Sequence, residues 1–189
     1  MLPGVVGSAL RIDAMTQYIL YGDVTHGTCA QDLDLCASTG FSLAFWFRPL
    51  DNMGAVLTNG GGLATGKGFY IFYSDDGELF VFLNGDSTAL VTVSGVPYGG
   101  WSHYVIVWSD SGGLDVYRDG CAYGHADNEP RPAPFDPTSL NYVELAVSAS
   151  ALFIRGFNPL RFDIDDVEIR YETLSGRQIW YMYTVAALG

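Results

Sequence analysis

Along most of this chain apolar side chains recur at every second position in short runs, and Gly, Asn and Asp bound the runs. Successive side chains of a strand point to opposite faces, so a period of two reads as β-structure with one face in a core. The pattern predicts strands over Ser8–Ile12, Tyr18–Tyr21, Phe41–Phe47, Ala55–Thr58, Gly68–Tyr73, Leu79–Leu83, Leu90–Ser94, Ser102–Ser109, Leu114–Arg118, Tyr142–Val147, Leu152–Ile154 and Phe162–Tyr171. Turns are predicted at Ser74-Asp75-Asp76-Gly77, Asn84-Gly85-Asp86, Ser111-Gly112-Gly113 and Arg118-Asp119-Gly120, because Asp-Gly and Asn-Gly supply the positive φ of tight hairpins. In Phe41–Phe47 the side chains of Phe41, Leu43, Phe45 and Phe47 share one face. Ser42, Ala44 and Trp46 take the other, so this strand is expected to be buried on one face and partly on the other.

Two segments break the period. His125–Thr138 (HADNEPRPAPFDPT) holds four of the eight prolines and predicts a long surface loop, since proline cannot donate to a ladder. Leu174–Ala187 predicts the one helix, with Ser175 as N-cap and Ile179, Met182, Tyr183 and Ala186 on one face. About twelve short strands and a terminal helix predict an all-β fold. The expected form is an antiparallel β-sandwich of jelly-roll type, a single domain over residues 1–189.

Composition narrows the function classes. Nine Lys and Arg against 21 Asp and Glu give a net charge of −12, yet charged residues are only 16% of the chain and aromatics reach 14%. The aromatic content excludes a disordered acidic tail. Scattered basic residues cannot build the stripe that a nucleic-acid partner needs, and an anionic membrane surface would repel the chain. No apolar run reaches the roughly 18 residues of a membrane span. The start, MLPGVVGSALRID, lacks the basic and apolar regions of a signal peptide, so the chain is expected to be either cytosolic or a module of a longer protein.

Of three cysteines, Cys29 and Cys36 lie seven apart in CAQDLDLC, a spacing that allows a small disulfide ring or leaves two reduced loop thiols. Cys121 is the odd one, expected as a buried or half-buried thiol, with pairing to another chain as the alternative. The ring of His103, amid aromatic residues in WSHYVIVW, is expected in or beside the core, and no Gly-x-Ser-x-Gly elbow is present.

Several pieces carry a family likeness in their order: GSALRID, QYILYGD, a Cys-x6-Cys leading into GFSLAFWFRP, GELFVFLNG, GWSHYVIVWSDSGGLDVYRDG and FDIDDVEIRYETLSGRQI. Together, over roughly residues 7–183, they resemble the concanavalin A-like sandwich of the laminin G and pentraxin type. The resemblance implies the sandwich fold and a recognition or adhesion role rather than catalysis. It also implies a structural calcium between the first hairpin and the late aspartates, with carboxylates from Asp13, Asp163 and Asp165 and loop carbonyls completing the shell. Asp163 and Asp165 share a strand face, and a bulge is expected near Asp165-Asp166. The alternative is that these aspartates cap turns and accept loop amides with no metal.

Pentraxin-like relatives bind ligands through calcium held by acidic loops. The matching loop is His125–Pro137, with Asp127, Asn128, Glu129 and Asp136, facing Asp51 and Asn52. A solvated proline-rich loop is the competing reading. Asp163-Ile-Asp165-Asp166-Val-Glu168 also imitates the carboxylate strand of retaining glucanases, whose outer carboxyls sit about 5–5.5 Å apart. Here the first Glu is an Asp, one methylene shorter, so a β-glucan hydrolase is the weaker alternative. The expected protein is an extracellular or cell-surface binding module for a protein or glycan ligand, cut from a longer secreted or membrane protein. A structural unit packed against neighbouring domains or subunits is the second reading.

Overall fold

In the computed structural model, which describes residues 2–13, 18–21, 33–36, 38–51, 53–58, 68–130, 145–148 and 161–188, the alternating runs form two seven-stranded sheets. One runs in the order β1 (Leu2–Pro3), β2 (Ser8–Ile12), β14 (Phe162–Arg170), β4 (Phe41–Pro49), β9 (Ser102–Ser109), β10 (Gly113–Arg118), β11 (Cys121–Ala126). The other runs β12 (Glu129–Pro130), β8 (Ser87–Val93), β7 (Leu79–Asn84), β6 (Gly68–Tyr73), β5 (Gly54–Thr58), β13 (Leu145–Ser148), β3 (Tyr18–Tyr21). Every pairing is antiparallel. A short 3₁₀ turn covers Leu33–Cys36, and helix α1 covers Gly176–Leu188.

The inward side chains of both sheets make one core. Phe41, Leu43, Phe45, Phe47, Tyr104, Ile106 and Phe162 meet Leu57, Phe69, Ile71, Leu79, Val81 and Val93. The second sheet turns Tyr70, Phe72 and Phe80 outward, with ring centroids 6.1 and 6.3 Å apart in sequence.

β4 departs from expectation, because it is buried on both faces. The reason is α1, which lies on the outer face of the first sheet. Leu174 and Ile179 there join Ala44, Val105 and Val107 in a second, smaller core. Beside it Tyr183 stacks on Trp46 (5.8 Å) and on His103 (6.2 Å). Ser175 caps α1 as the sequence predicts. Its amide donates to Gln178 Oε1 (2.9 Å), and the Gln178 amide reaches back to Ser175 Oγ (3.4 Å), a reciprocal box.

The proline-rich loop begins later than predicted. Cys121–Ala126 forms the edge strand β11, since the Asp119-Gly120 turn folds the chain back onto β10 and pairing overrides weak local alternation. Glu129 and Pro130 then pair with Thr88 and Ser87. β8 starts at Ser87 rather than Leu90. β13 ends at Ser148, one residue later than expected, and the predicted strand Leu152–Ile154 lies outside the described residues. Cys36 is buried, Cys121 is an exposed free thiol, and Cys29 lies outside the described residues. Exposure of Cys121 corrects the expected burial, and follows from its place on an edge strand.

Candidate functional site

β14 carries the predicted carboxylates on its outer face, because Phe162 and Ile164 occupy the inner one. Asp163 stands directly opposite Arg11 on β2 and Arg48 on β4. Arg11 Nε and Nη2 donate to its two oxygens at 2.8 and 3.1 Å, and Arg48 donates from Nε at 2.8 Å and also from Nη2. The Asp163 side chain is fully buried between them. Burial would raise its pKa, but the hydrogen bonds from Arg11 and Arg48 outweigh burial and hold the carboxyl below its ordinary range.

Asp165 is committed to the backbone. Its Oδ2 accepts the Val6 amide at 2.9 Å and its Oδ1 the Asp166 amide at 3.0 Å. The approach is close enough that a Cβ on Gly4 would lie 2.2 Å from Asp165 Oδ2, so the turn between β1 and β2 needs glycine there. The expected bulge is present: the β14–β4 register shifts between Asp165 and Glu168, and Asp166 adopts φ of 48°. Glu168 accepts from Arg170 Nε at 2.7 Å.

These positions do not fit the calcium expected at Asp13, Asp163 and Asp165. Two guanidinium groups already neutralise Asp163 and would repel a cation, and both oxygens of Asp165 accept amides. Asp13 is exposed, and among the described residues no three acidic, His or Cys side chains converge as a metal site. The glucanase-like reading meets the same obstacle. A carboxylate held by two arginines is a poor nucleophile, and Glu168 is engaged by Arg170.

The predicted rim residues divide. Asn128 is a structural clasp: its Oδ1 accepts from Trp108 Nε1 (2.9 Å) and its Nδ2 donates to the carbonyls of Ser109 and Asp110 (3.0 and 2.7 Å). Asp127 lies 3.3 Å from His125 Nε2, whose Nδ1 lies 2.8 Å from Asp115. Hydrogen bonds to Asp115 and Asp127 raise the His125 pKa above that of free imidazole. Glu129 is exposed on β12, and Asp136 and Asn52 lie outside the described residues. Asp51, half-buried, precedes β5. His103 is buried as expected, and burial lowers its pKa to about 4.

One concave site escaped the sequence. A groove of about 740 Å³ opens between α1, the β1–β2 turn and β14, floored by Asp166, Glu168 and Arg170 and walled by Val6, Tyr181 and Val185. The signal available was the outward face of the helix, where Trp180, Tyr181 and Val185 are more than half exposed.

A laminin G family model of the concanavalin A-like lectin/glucanases superfamily matches residues 22–180. The chain belongs to this family. Curated protein sequences give no match to it. Among solved structures, the laminin G-type domain is similar to botulinum neurotoxin binding domains. One is the type C toxin of a study of cell entry dependent on two ganglioside molecules (16% identity, 79% of this chain and 36% of that one, TM-score 0.59). A second is the receptor-binding domain of botulinum neurotoxin D (10%, 96% and 45%, TM-score 0.67). A third is the DC-type binding domain in complex with rat synaptotagmin II (14%, 96% and 46%, TM-score 0.59). At such identities the likeness is one of fold, and the domain spans less than half the length of those chains. Among its described residues no helix is long and apolar enough to cross a membrane.

Proposed function

We propose that this laminin G-type domain is a non-enzymatic recognition or adhesion module, displayed outside the cell, that binds a protein or glycan ligand. The observation that carries the reading is the Arg11–Asp163–Arg48 clamp. It commits the carboxylate that a glucanase-like site would use to holding three strands together. What remains is a rigid sandwich with exposed aromatic side chains, among them Tyr98, Tyr123 and Tyr181, of the kind that stack on sugars or anchor protein contacts. Similar folds belong to toxin domains, one from a study of cell entry dependent on gangliosides and one in complex with synaptotagmin II, which supports ligands of both classes.

A Cys29–Cys36 disulfide is part of the proposal, supported by the spacing, by the burial of Cys36 and by Cys121 being the free thiol. It suits an oxidising compartment. Calcium is not part of it, because Asp163 and Asp165 are occupied by protein donors.

A glycan array that includes sialylated structures, run beside a β-glucan hydrolysis assay, tests the reading. Saturable capture of a glycan class without hydrolysis is the expected result. Turnover of β-glucan that disappears in Glu168→Gln would replace the module with an enzyme.

A further inference from the structure

The groove between α1 and β14 differs in chemistry from the rim loops. At about 740 Å³ it falls within the roughly 300–1,000 Å³ of ordinary ligand sites. Val5, Val6, Met182, Val185 and Ala186 make its walls apolar. Its charges are unbalanced. Arg170, the one cation among the described lining residues, is paired with Glu168 at 2.7 Å. The Asp166 carboxylate has no hydrogen-bond or ion-pair partner among the described residues, and the residue's backbone amide donates to Asp165 Oδ1. Burial, then Glu168 and Asp165, raise its pKa, as expected of a carboxylate lacking a counter-charge.

We infer that this groove is a docking site for a basic, apolar peptide segment of a partner protein, with a lysine or arginine head on Asp166 and its neighbours on the walls of Val6 and Val185. The alkyl stem of such a side chain suits apolar walls while its head seeks charge. Tyr181, 65% exposed at the rim, offers a ring face for the cation. A sialylated glycan is disfavoured here, since Asp166 and the net charge of −12 repel anions.

The inference rests on the reading of the domain as a binding module and names one of its surfaces. Asp75, exposed on the turn between β6 and β7 of the other sheet, serves as a control for diffuse attraction to net charge. The test is fluorescence anisotropy with a labelled peptide of alternating lysine and valine, and with its glutamate–valine counterpart, at physiological salt. The wild-type chain is expected to bind the cationic peptide only. Asp166→Asn, tolerated at positive φ, should weaken binding about tenfold. Val185→Arg should weaken it at least as much, and Asp75→Asn should leave it unchanged. The inference is overturned if the wild type ignores the cationic peptide, if the anionic peptide binds equally, if Asp166→Asn binds as the wild type does, or if Asp75→Asn loses as much. Should the array find a glycan while the cationic peptide does not bind, the groove assignment alone falls and the module stands.

Discussion

Asp163 is gripped on both sides by guanidinium groups from neighbouring strands, and its ionised state is thereby tied to folding. A pKa below the ordinary carboxylate value means that stabilisation is present above about pH 4 and is lost as pH falls through the folded value. Asp163→Asn is expected to cost about 3 kcal/mol at neutral pH, because two guanidinium groups lose their counter-charge. Urea unfolding at neutral pH and again at about pH 3 checks it: the gap to the wild type should narrow in acid. His103 governs a different window. Burial lowers its pKa to about 4, with Asp119 opposing. The unfolded chain therefore binds this proton more readily, and stability falls as pH drops from about 6.5 towards 4, by roughly 3 kcal/mol in all. His103→Phe should flatten unfolding free energy across that window. An unchanged slope would show that His103 is not the buried titrating group.

Among the elements, α1 does the most to shape the site. It covers the outer face of β4 and β9 and forms one wall of the groove. Its start was legible from Ser175 as N-cap ahead of an apolar face, and the structure adds Gln178 as the reciprocal partner. Ser175→Ala should cost about 1 kcal/mol through loss of the cap, seen as a lower thermal midpoint. Gly40, at φ of 76°, turns the chain into β4; a Cβ there would lie 2.2 Å from Thr173 Cγ2, just before the helix. The hairpins from Ser74 to Gly77 and from Arg118 to Gly120 were legible because Asp-Gly demands a turn. β11 was not, since CAYGHA alternates weakly and pairs only because β10 is already in place.

At the scale of the whole molecule, the first sheet is joined by charge where the calcium of similar folds was expected. Arg11 and Arg48 lie 152 and 115 residues from Asp163 in the chain, so they bridge β2, β14 and β4 directly. Melting in calcium and then with a chelator should give the same midpoint, within the scatter of repeat scans. A clear upward shift with calcium would return Asp13, Asp163 and Asp165 to a metal site. The likeness between FDIDDVEIRYETLSGRQI and its counterparts made the fold readable, but it could not say whether those aspartates face a metal or arginines.

By itself the sequence determined the sandwich, its terminal helix, the bulge at Asp165-Asp166 and the family, because period-two alternation, Asp-Gly turns and an N-cap are local chemistry. Only the tertiary structure decided what the carboxylates do. Whether an aspartate meets a cation, an amide or open groove depends on which distant strand lies beside it, and that register is set by packing across the sheet rather than by neighbours in the chain. Asp163 drew two arginines, Asp165 a backbone turn, and Asp166 the groove beside α1.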